Sequence, residues 1–266
     1  MTKDPAPISV IIPTYNRAGS IGAAIRSVLY QSLTPDEVIV IDDGSDDETE
    51  SVVAEIKSPM IRYIRQENAG ANVARNRGVE ESRNDFVAFH DSDDIWLPGK
   101  LQSQWLELEG GVVKASFGRF LRVSDRSATI MPISKPSEYS EERVRAVSLI
   151  KNMLSTQTLV IEKDTLLRIG GFDPNLGRFQ DWDLFIRLMK DVSFNFQIEP
   201  LVVAFDGSDS ITRNYAAGIE ARRYFLQKYH KEFHENFPAH LRSRTDLFIR
   251  VILQDIHRIL RRRPIK

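Results

Sequence analysis

Over its first hundred residues the chain alternates short apolar runs with amphipathic stretches, and each apolar run ends in a polar cluster. Ile8–Ile12, closed by Pro13, has the pattern of a strand buried on both faces. Ser20 precedes an apolar stripe at Ile21, Ala24, Ile25, Val28 and Leu29, the pattern of a capped amphipathic helix. Glu37–Ile41, Met60–Ile64 and Asp85–Phe89 predict three further strands. Between them Ser45 and Glu48 have capping-box spacing for a helix reaching Lys57, and Ala71–Glu81 predicts another helix. Pro98 takes the favoured first-turn position of a fourth. Strands alternating with helices of this length imply an α/β fold, with a mostly parallel sheet flanked by helices.

Beyond residue 110 the pattern loosens. Val112–Val123 and Gln157–Ile161 predict strands, and Glu141–Asn152 a helix. Gly170–Phe179 is a Gly/Pro loop leading into a helix at Asp181–Lys190, and Ser193–Phe205 gives two short strands broken at Pro200. From Tyr215 the chain reads as helical, with no repeat and no low-complexity linker. The expectation is one domain over residues 1–212 and a helical C-terminal appendage over 213–266.

Absence of cysteine removes disulfides, thiol nucleophiles and Cys-based zinc sites, and fits a reducing compartment. The N-terminus is polar, and no apolar run approaches the ~20 residues needed to span a bilayer. A cytoplasmic protein, at most peripherally membrane-associated, is expected. A net charge of −1 argues against nucleic acid as a partner. Residues 241–266 nevertheless carry seven Arg and one Lys against two Asp. Their apolar face (Leu247, Phe248, Val251, Ile252, Ile256, Ile259, Leu260) suits packing on the domain, a homodimer contact or an anionic lipid surface.

In an open parallel sheet, ligands bind beyond the carboxyl ends of the strands. Here those ends lead into Pro13-Thr14-Tyr15-Asn16-Arg17, Asp42-Asp43-Gly44-Ser45, Asn68-Ala69-Gly70 with Arg75 on the next helix, and Asp91-Ser92-Asp93-Asp94. Each alone reads as a turn, a cap or a solvated loop. Together they bring carboxylates to adjacent strand ends, where they repel unless a cation or proton intervenes. All-oxygen ligands favour Mg²⁺ or Mn²⁺, and such a cation attracts a diphosphate. Tyr15 offers a ring for a base to stack on, Asp43 an acceptor for a base N–H, and Asp91 an acceptor for a ribose hydroxyl. Neither G-x-G-x-x-G nor a P-loop follows the first strand.

In order along the chain, the segments Ser9–Arg17, Val40–Ser45, Asn68–Gly70, Ala74–Gly78, Asp91–Asp94 with Trp96-Leu97-Pro98, Gly170–Asp173 and Gln180–Leu184 resemble family 2 glycosyltransferases of the GT-A fold. The resemblance implies a Rossmann-like nucleotide-diphospho-sugar transferase, with a nucleotide-binding half at 1–110 and an acceptor-side half at 111–212. It implies inverting, metal-dependent transfer from a nucleoside-diphosphate sugar, UDP favoured, to a hydroxyl of a saccharide or lipid-linked acceptor in bacterial polysaccharide or glycoconjugate synthesis. By position Pro13, Thr14, Tyr15, Arg17, Asp43, Arg75 and Asp91 would hold the nucleotide. Asp93, with Asp91 and Asp94 as further candidates, would hold Mn²⁺ or Mg²⁺. Asp181 would be the general base, with Gln180 and Trp182 near the sugars.

Two departures stand out. The family usually has Glu-Asp where this chain has Gln180-Asp181, and many relatives carry a His where this chain reads Ala204-Phe205-Asp206-Gly207-Ser208. Asp206 stands there either as a substitute ligand or as a turn residue. Rival readings are a catalytically impaired sugar-nucleotide-binding scaffold and a nucleotidyltransferase. Among the histidines only His230 and His234 have helical spacing for a metal pair, and a solvated or partner-facing helix side explains them as well.

Overall fold

The computed structural model of the protein describes residues 4–132, 139–205 and 215–235. The strands are β1 (Ala6–Thr14), β2 (Pro35–Asp42), β3 (Ile61–Arg65), β4 (Phe86–Phe89), β5 (Ile95–Trp96), β6 (Ala115–Gly118), β7 (Phe120–Ser124), β8 (Ser127–Met131), β9 (Val160–Glu162), β10 (Phe194–Gln197) and β11 (Val202–Phe205). The helices are α1 (Ile21–Leu29), α2 (Thr49–Glu55), α3 (Ala71–Glu81), α4 (Lys100–Leu108), α5 (Glu141–Ala146), α6 (Lys163–Arg168), α7 (Gln180–Asp191), α8 (Tyr215–Lys228) and α9 (His230–Glu235).

Among the described residues, seven strands form the main sheet in the order β10-β6-β9-β4-β1-β2-β3, in which β9 runs against the others. β1 is buried along its whole length except at Pro7, as a strand covered on both faces must be. Its alternate residues divide the core. Ile8, Val10 and Ile12 pack with Ile21, Ile25 and Val28 of α1, whereas Ile11 packs with Phe89, Phe117, Leu184 and Phe185. α3 lies close against β1 because position 78 is glycine: a Cβ there would sit 2.3 Å from Ile11 Cγ2. That approach sets Asn72, Arg75 and Asn76 over the sheet's carboxyl side. A second sheet, β5-β11-β7-β8, lies beside the end of β4.

The structure corrects several sequence expectations. Ser45 does not cap α2. Its N–H and hydroxyl both donate to Asp42 Oδ1, at 2.8 and 2.6 Å, and Asp47 Oδ1 accepts the N–H of Thr49 at 3.0 Å instead. The stretch 112–123 is not one strand: the chain passes from β6 to β7 at Arg119, leaving one sheet for the other. An added Cβ at Gly118 would meet Gln197 O at 2.4 Å, so β6 ends where only glycine fits. β8 and α6 were not anticipated, and α5 stops at Ala146 rather than Asn152.

α8 and α9 pack on α7, where Phe225, Tyr229 and Phe233 form an apolar cluster with Leu176 and Ile186. Asp206, His240, His257 and the Arg-rich segment 241–266 lie outside the described residues. No helix among the described residues is long and apolar enough to cross a membrane.

Candidate active site

Parallel register brings Thr14 level with Asp42, and Ile11 level with Phe89, so the loops after β1, β2 and β4 leave the sheet side by side. The loop after β1 is tied to the loop after β2 at Asn16, Arg17 and Ala18. Asn16, in the left-handed region at φ 51°, donates its N–H to Ser45 Oγ at 2.9 Å and accepts the N–H of Asp46 on Oδ1 at 2.9 Å. Arg17 N donates to Thr49 Oγ1 at 2.9 Å and Ala18 N to Asp47 Oδ2 at 3.0 Å. Pro13 and Thr14 are buried, and the Thr14 hydroxyl has no hydrogen-bond partner among the described residues. Tyr15 is 46% exposed, leaving its ring available at the edge.

Asp43 is almost fully buried and organises the neighbouring loop. Its Oδ1 accepts Gln66 Nε2 at 2.7 Å and Ala69 N at 2.9 Å, and its Oδ2 accepts Gly70 N at 2.8 Å. A carboxylate has about four acceptor sites, so one remains on Oδ2 for a ligand. Gly70 itself, at φ 95°, takes a conformation that a side chain would strain.

The acidic loop follows β4. Arg75 Nη2 donates to Asp91 Oδ1 at 2.8 Å while Nη1 donates to Asn72 Oδ1 at 3.2 Å, and the guanidinium lies 5.5 Å from the Phe172 ring centroid. Arg17 approaches Asp93 at 3.6 Å. Asp94 is buried and accepts the N–H of Phe205, at the end of β11, at 3.1 Å. Burial first, then the charge of Asp91, holds the Asp93 carboxyl above the usual range. Burial with the charges of Asp91 and Asp93 pushes Asp94 up to about 8. His90 faces the core beside Trp96, where burial pushes it down to about 3 and keeps it neutral.

The opposite wall comes from the second half of the chain. Asn76 accepts the N–H of Phe172 at 2.9 Å and donates to its carbonyl at 2.8 Å, while Asn72 donates to the carbonyls of Asp173 and Leu176 at 2.8 Å each. These bonds fix the Gly170–Phe179 loop to α3 and so place the start of α7. Phe179, at φ 64°, takes the left-handed conformation immediately before Gln180. Asp181, half-buried in the first turn, accepts a hydrogen bond from Thr156 Oγ1 at 2.5 Å. Burial pushes its carboxyl up; Thr156 and Arg75 oppose that, and Asp91 adds to it.

Two neighbours play structural parts. Trp182 donates its indole N–H to Ser148 O at 2.6 Å and packs against Phe179 and Phe225. Asp183 is fully buried, paired with Arg187 at 2.5 Å and Lys228 at 2.6 Å, and accepts Tyr229 OH at 2.8 Å. Those partners commit Asp183 to holding α8 on α7, which leaves Asp181 as the carboxylate facing Arg75 and Asp91. Gln180, half-buried, opens the helix. Sequence reading missed Thr156, which lies in a turn with no motif of its own.

The donor chemistry of the acidic loop fits a hard divalent cation. Three carboxylates crowd one loop, and two of them are held above their usual range by mutual charge and burial. Among the described residues no three His, Cys, Asp or Glu side chains form a preassembled metal cage.

Comparison with known proteins places the molecule. The model of the Glycosyl transferase family 2 matches residues 9–172, and the chain belongs to that family. An uncharacterised glycosyltransferase of Rickettsia prowazekii is 30% identical over 200 residues, 73% of this chain and 62% of the relative. The chain therefore spans less than two thirds of that relative's length. The Escherichia coli UDP-Glc:alpha-D-GlcNAc-diphosphoundecaprenol beta-1,3-glucosyltransferase WfgD is 31% identical over 186 residues, 69% of this chain and 70% of that protein. Among solved structures, S. aureus TarS in complex with UDP-GlcNAc matches at TM-score 0.62 and 18% identity, over 82% of this chain and 66% of TarS. The mannosyltransferase PcManGT from Pyrobaculum calidifontis, in complex with GDP-Man and Mn²⁺, matches at TM-score 0.62 and 19% identity, over 86% of this chain and 66% of that one. Both share the GT-A fold with this chain.

Proposed function

We propose that the protein is an inverting glycosyltransferase that moves a sugar from a UDP-linked donor to an acceptor hydroxyl. The observation that carries this reading is that Arg75, paired with Asp91 at 2.8 Å, also acts electrostatically on Asp181, so the charge-crowded loop Asp91–Asp94 and Asp181 converge on one arginine. One group suits a cation and a diphosphate, the other a proton acceptor.

In this reading Tyr15 stacks on the base, and the free lone pair of Asp43 accepts a base N–H. Pro13, Thr14 and Arg17 line the nucleotide's path. Asp91, with Oδ1 held by Arg75, offers its other oxygen to the ribose or to the cation's shell. Asp93, with Asp91, would hold Mn²⁺ or Mg²⁺, which when bound neutralises charge on the departing diphosphate. Asp181 accepts the proton of the acceptor hydroxyl. The hydroxyl oxygen then bonds to the anomeric carbon from the face opposite the diphosphate, the bond to the diphosphate oxygen breaks, and the nucleotide leaves with the electron pair. Because the base must lie on the face opposite the leaving group, Asp93 cannot serve.

The activity of WfgD, from UDP-Glc to alpha-D-GlcNAc-diphosphoundecaprenol, supports a UDP donor and a lipid-linked saccharide acceptor in bacterial glycoconjugate synthesis. Release of UDP from a panel of UDP-sugars, with lipid-linked and free saccharide acceptors, tests the proposal. Acceptor-dependent release is expected. A chain that binds UDP-sugars without turning any of them over would be a scaffold of the same fold.

A further inference from the structure

The turn before β9 is anchored more firmly than a strand connection requires. Ser155, Thr156, Gln157 and Thr158 are all buried. Trp96 Nε1 donates to Gln157 O at 3.1 Å, Gln104 Nε2 donates to Thr158 O at 2.9 Å, and Thr158 Oγ1 donates to Ser155 O at 2.7 Å. Trp96 lies two residues past Asp94, so the turn is bonded to the segment that carries the acidic loop. Lys100, buried on that segment, donates to Gln104 Oε1 at 2.7 Å with its ammonium 3.9 Å from the Trp96 ring centroid. From this fixed turn the Thr156 hydroxyl reaches Asp181 Oδ1.

We infer that Thr156 is a positioning residue: its hydroxyl sets the orientation of the Asp181 carboxylate and ties it to the segment bearing Asp91–Asp94. The inference rests on the reading of Asp181 as the base. A hydrogen bond to Oδ1 stops the carboxylate rotating and leaves lone pairs on Oδ2 for the acceptor hydroxyl. The bond also favours the charged form, alongside Arg75 from α3 and the weaker contribution of the Thr156 backbone N–H, and against burial and Asp91. Its loss therefore both loosens the base and raises its pKa. A misplacement of about 1 Å at a reacting group lowers rate by up to about 100-fold.

Two measurements on the full chain test this. In protein labelled with ¹³C at the aspartate carboxyls, with Asp181 assigned by its loss in Asp181→Asn, Thr156→Val should move the Asp181 titration midpoint upward by about one pH unit. Thr156→Ser, which keeps the hydroxyl, should return it, with melting temperatures confirming that both variants fold. An unmoved midpoint in Thr156→Val overturns the inference without need of a donor. In parallel, turnover of the UDP-sugar that the wild type uses fastest should fall roughly 10- to 100-fold in Thr156→Val, with donor KM little changed and rescue by Ser. Wild-type turnover in Thr156→Val beside an inactive Asp181→Asn overturns the role of Thr156 and leaves Asp181 as the base. Full turnover in Asp181→Asn overturns both.

Discussion

The sheet's two edges each bury carboxylates, and they treat them in opposite ways. At the amino edge Glu37, fully buried near the start of β2, accepts Ser9 Oγ at 2.7 Å and Arg83 N at 2.7 Å, and pairs with Arg62 at 3.2 Å and Arg83 Nε at 3.1 Å. Burial alone would push its carboxyl up, but those donors outweigh it and hold Glu37 below its usual range. At the carboxyl edge Asp94 is buried as well, yet its neighbours are Asp91 and Asp93, and its carboxyl is pushed up to about 8. One edge is closed by matched donors. At the other, Arg75 and Arg17 approach Asp91 and Asp93, yet three crowded carboxyls still hold Asp93 and Asp94 above their usual range. Folding does not require that crowding, and a bound cation with its diphosphate would relieve it.

The largest effect is expected at Asp181, the residue proposed as base beyond the carboxyl edge. Asp181→Asn keeps the side chain's shape but cannot take a proton, so kcat should fall by about 10²–10⁴-fold with nucleotide affinity nearly unchanged. UDP release and UDP binding measured on one preparation check both halves. If Asp181 were only an N-terminal helix residue, the Asn variant would keep its turnover.

Next in size is the amino edge. Glu37→Ala removes the buried acceptor of the Ser9 hydroxyl and the Arg83 N–H, although Arg62 keeps Glu81 and Arg83 keeps Asp36, and should lower unfolding free energy by about 3 kcal/mol in urea titrations. The two edges should also respond to pH in opposite senses. With its folded pKa depressed, Glu37 contributes stability above its unfolded pKa that is lost as pH falls through the folded value. With its folded pKa raised, Asp94 imposes no penalty at low pH. It opposes folding increasingly as pH climbs from its unfolded value toward about 8. In EDTA, Asp94→Asn should therefore gain about 1 kcal/mol near neutrality and lose that pH slope, which melts between pH 5 and 9 would show.

Smaller still is the stacking platform. Tyr15→Ala should weaken UDP binding by about 1–2 kcal/mol, roughly tenfold, and leave folding unaffected because the ring is half in solvent. Equal affinity in the variant would move the base away from Tyr15.

The same contrast explains what the sequence made legible. β1 to β4 announced themselves because buried parallel strands are continuous apolar runs, and the polar residues that follow them had no apolar core to serve. Asp43, Arg75 and Asp91 could be placed at one edge from strand order alone. Glu37 could not be recognised, since its partners Ser9, Arg62 and Arg83 belong to three separated segments. Ser45 looked like a helix cap by local spacing, but Asp42, three residues before it, captured its donors. The break of 112–123 into strands of two sheets depends on how closely Gln197 passes Gly118, a contact no local pattern encodes. Thr156 and Asp183 take their roles from partners 25 and 46 residues away.

The most direct test of the account is a calorimetric titration of UDP into the protein, once in Mn²⁺ and once in EDTA, for the wild type and Asp93→Ala. If the crowded carboxyl edge is a cation and diphosphate site, Mn²⁺ should tighten UDP binding at least tenfold in the wild type and have little effect in Asp93→Ala, with the two chains alike in EDTA. Equal wild-type affinity in Mn²⁺ and in EDTA would contradict it.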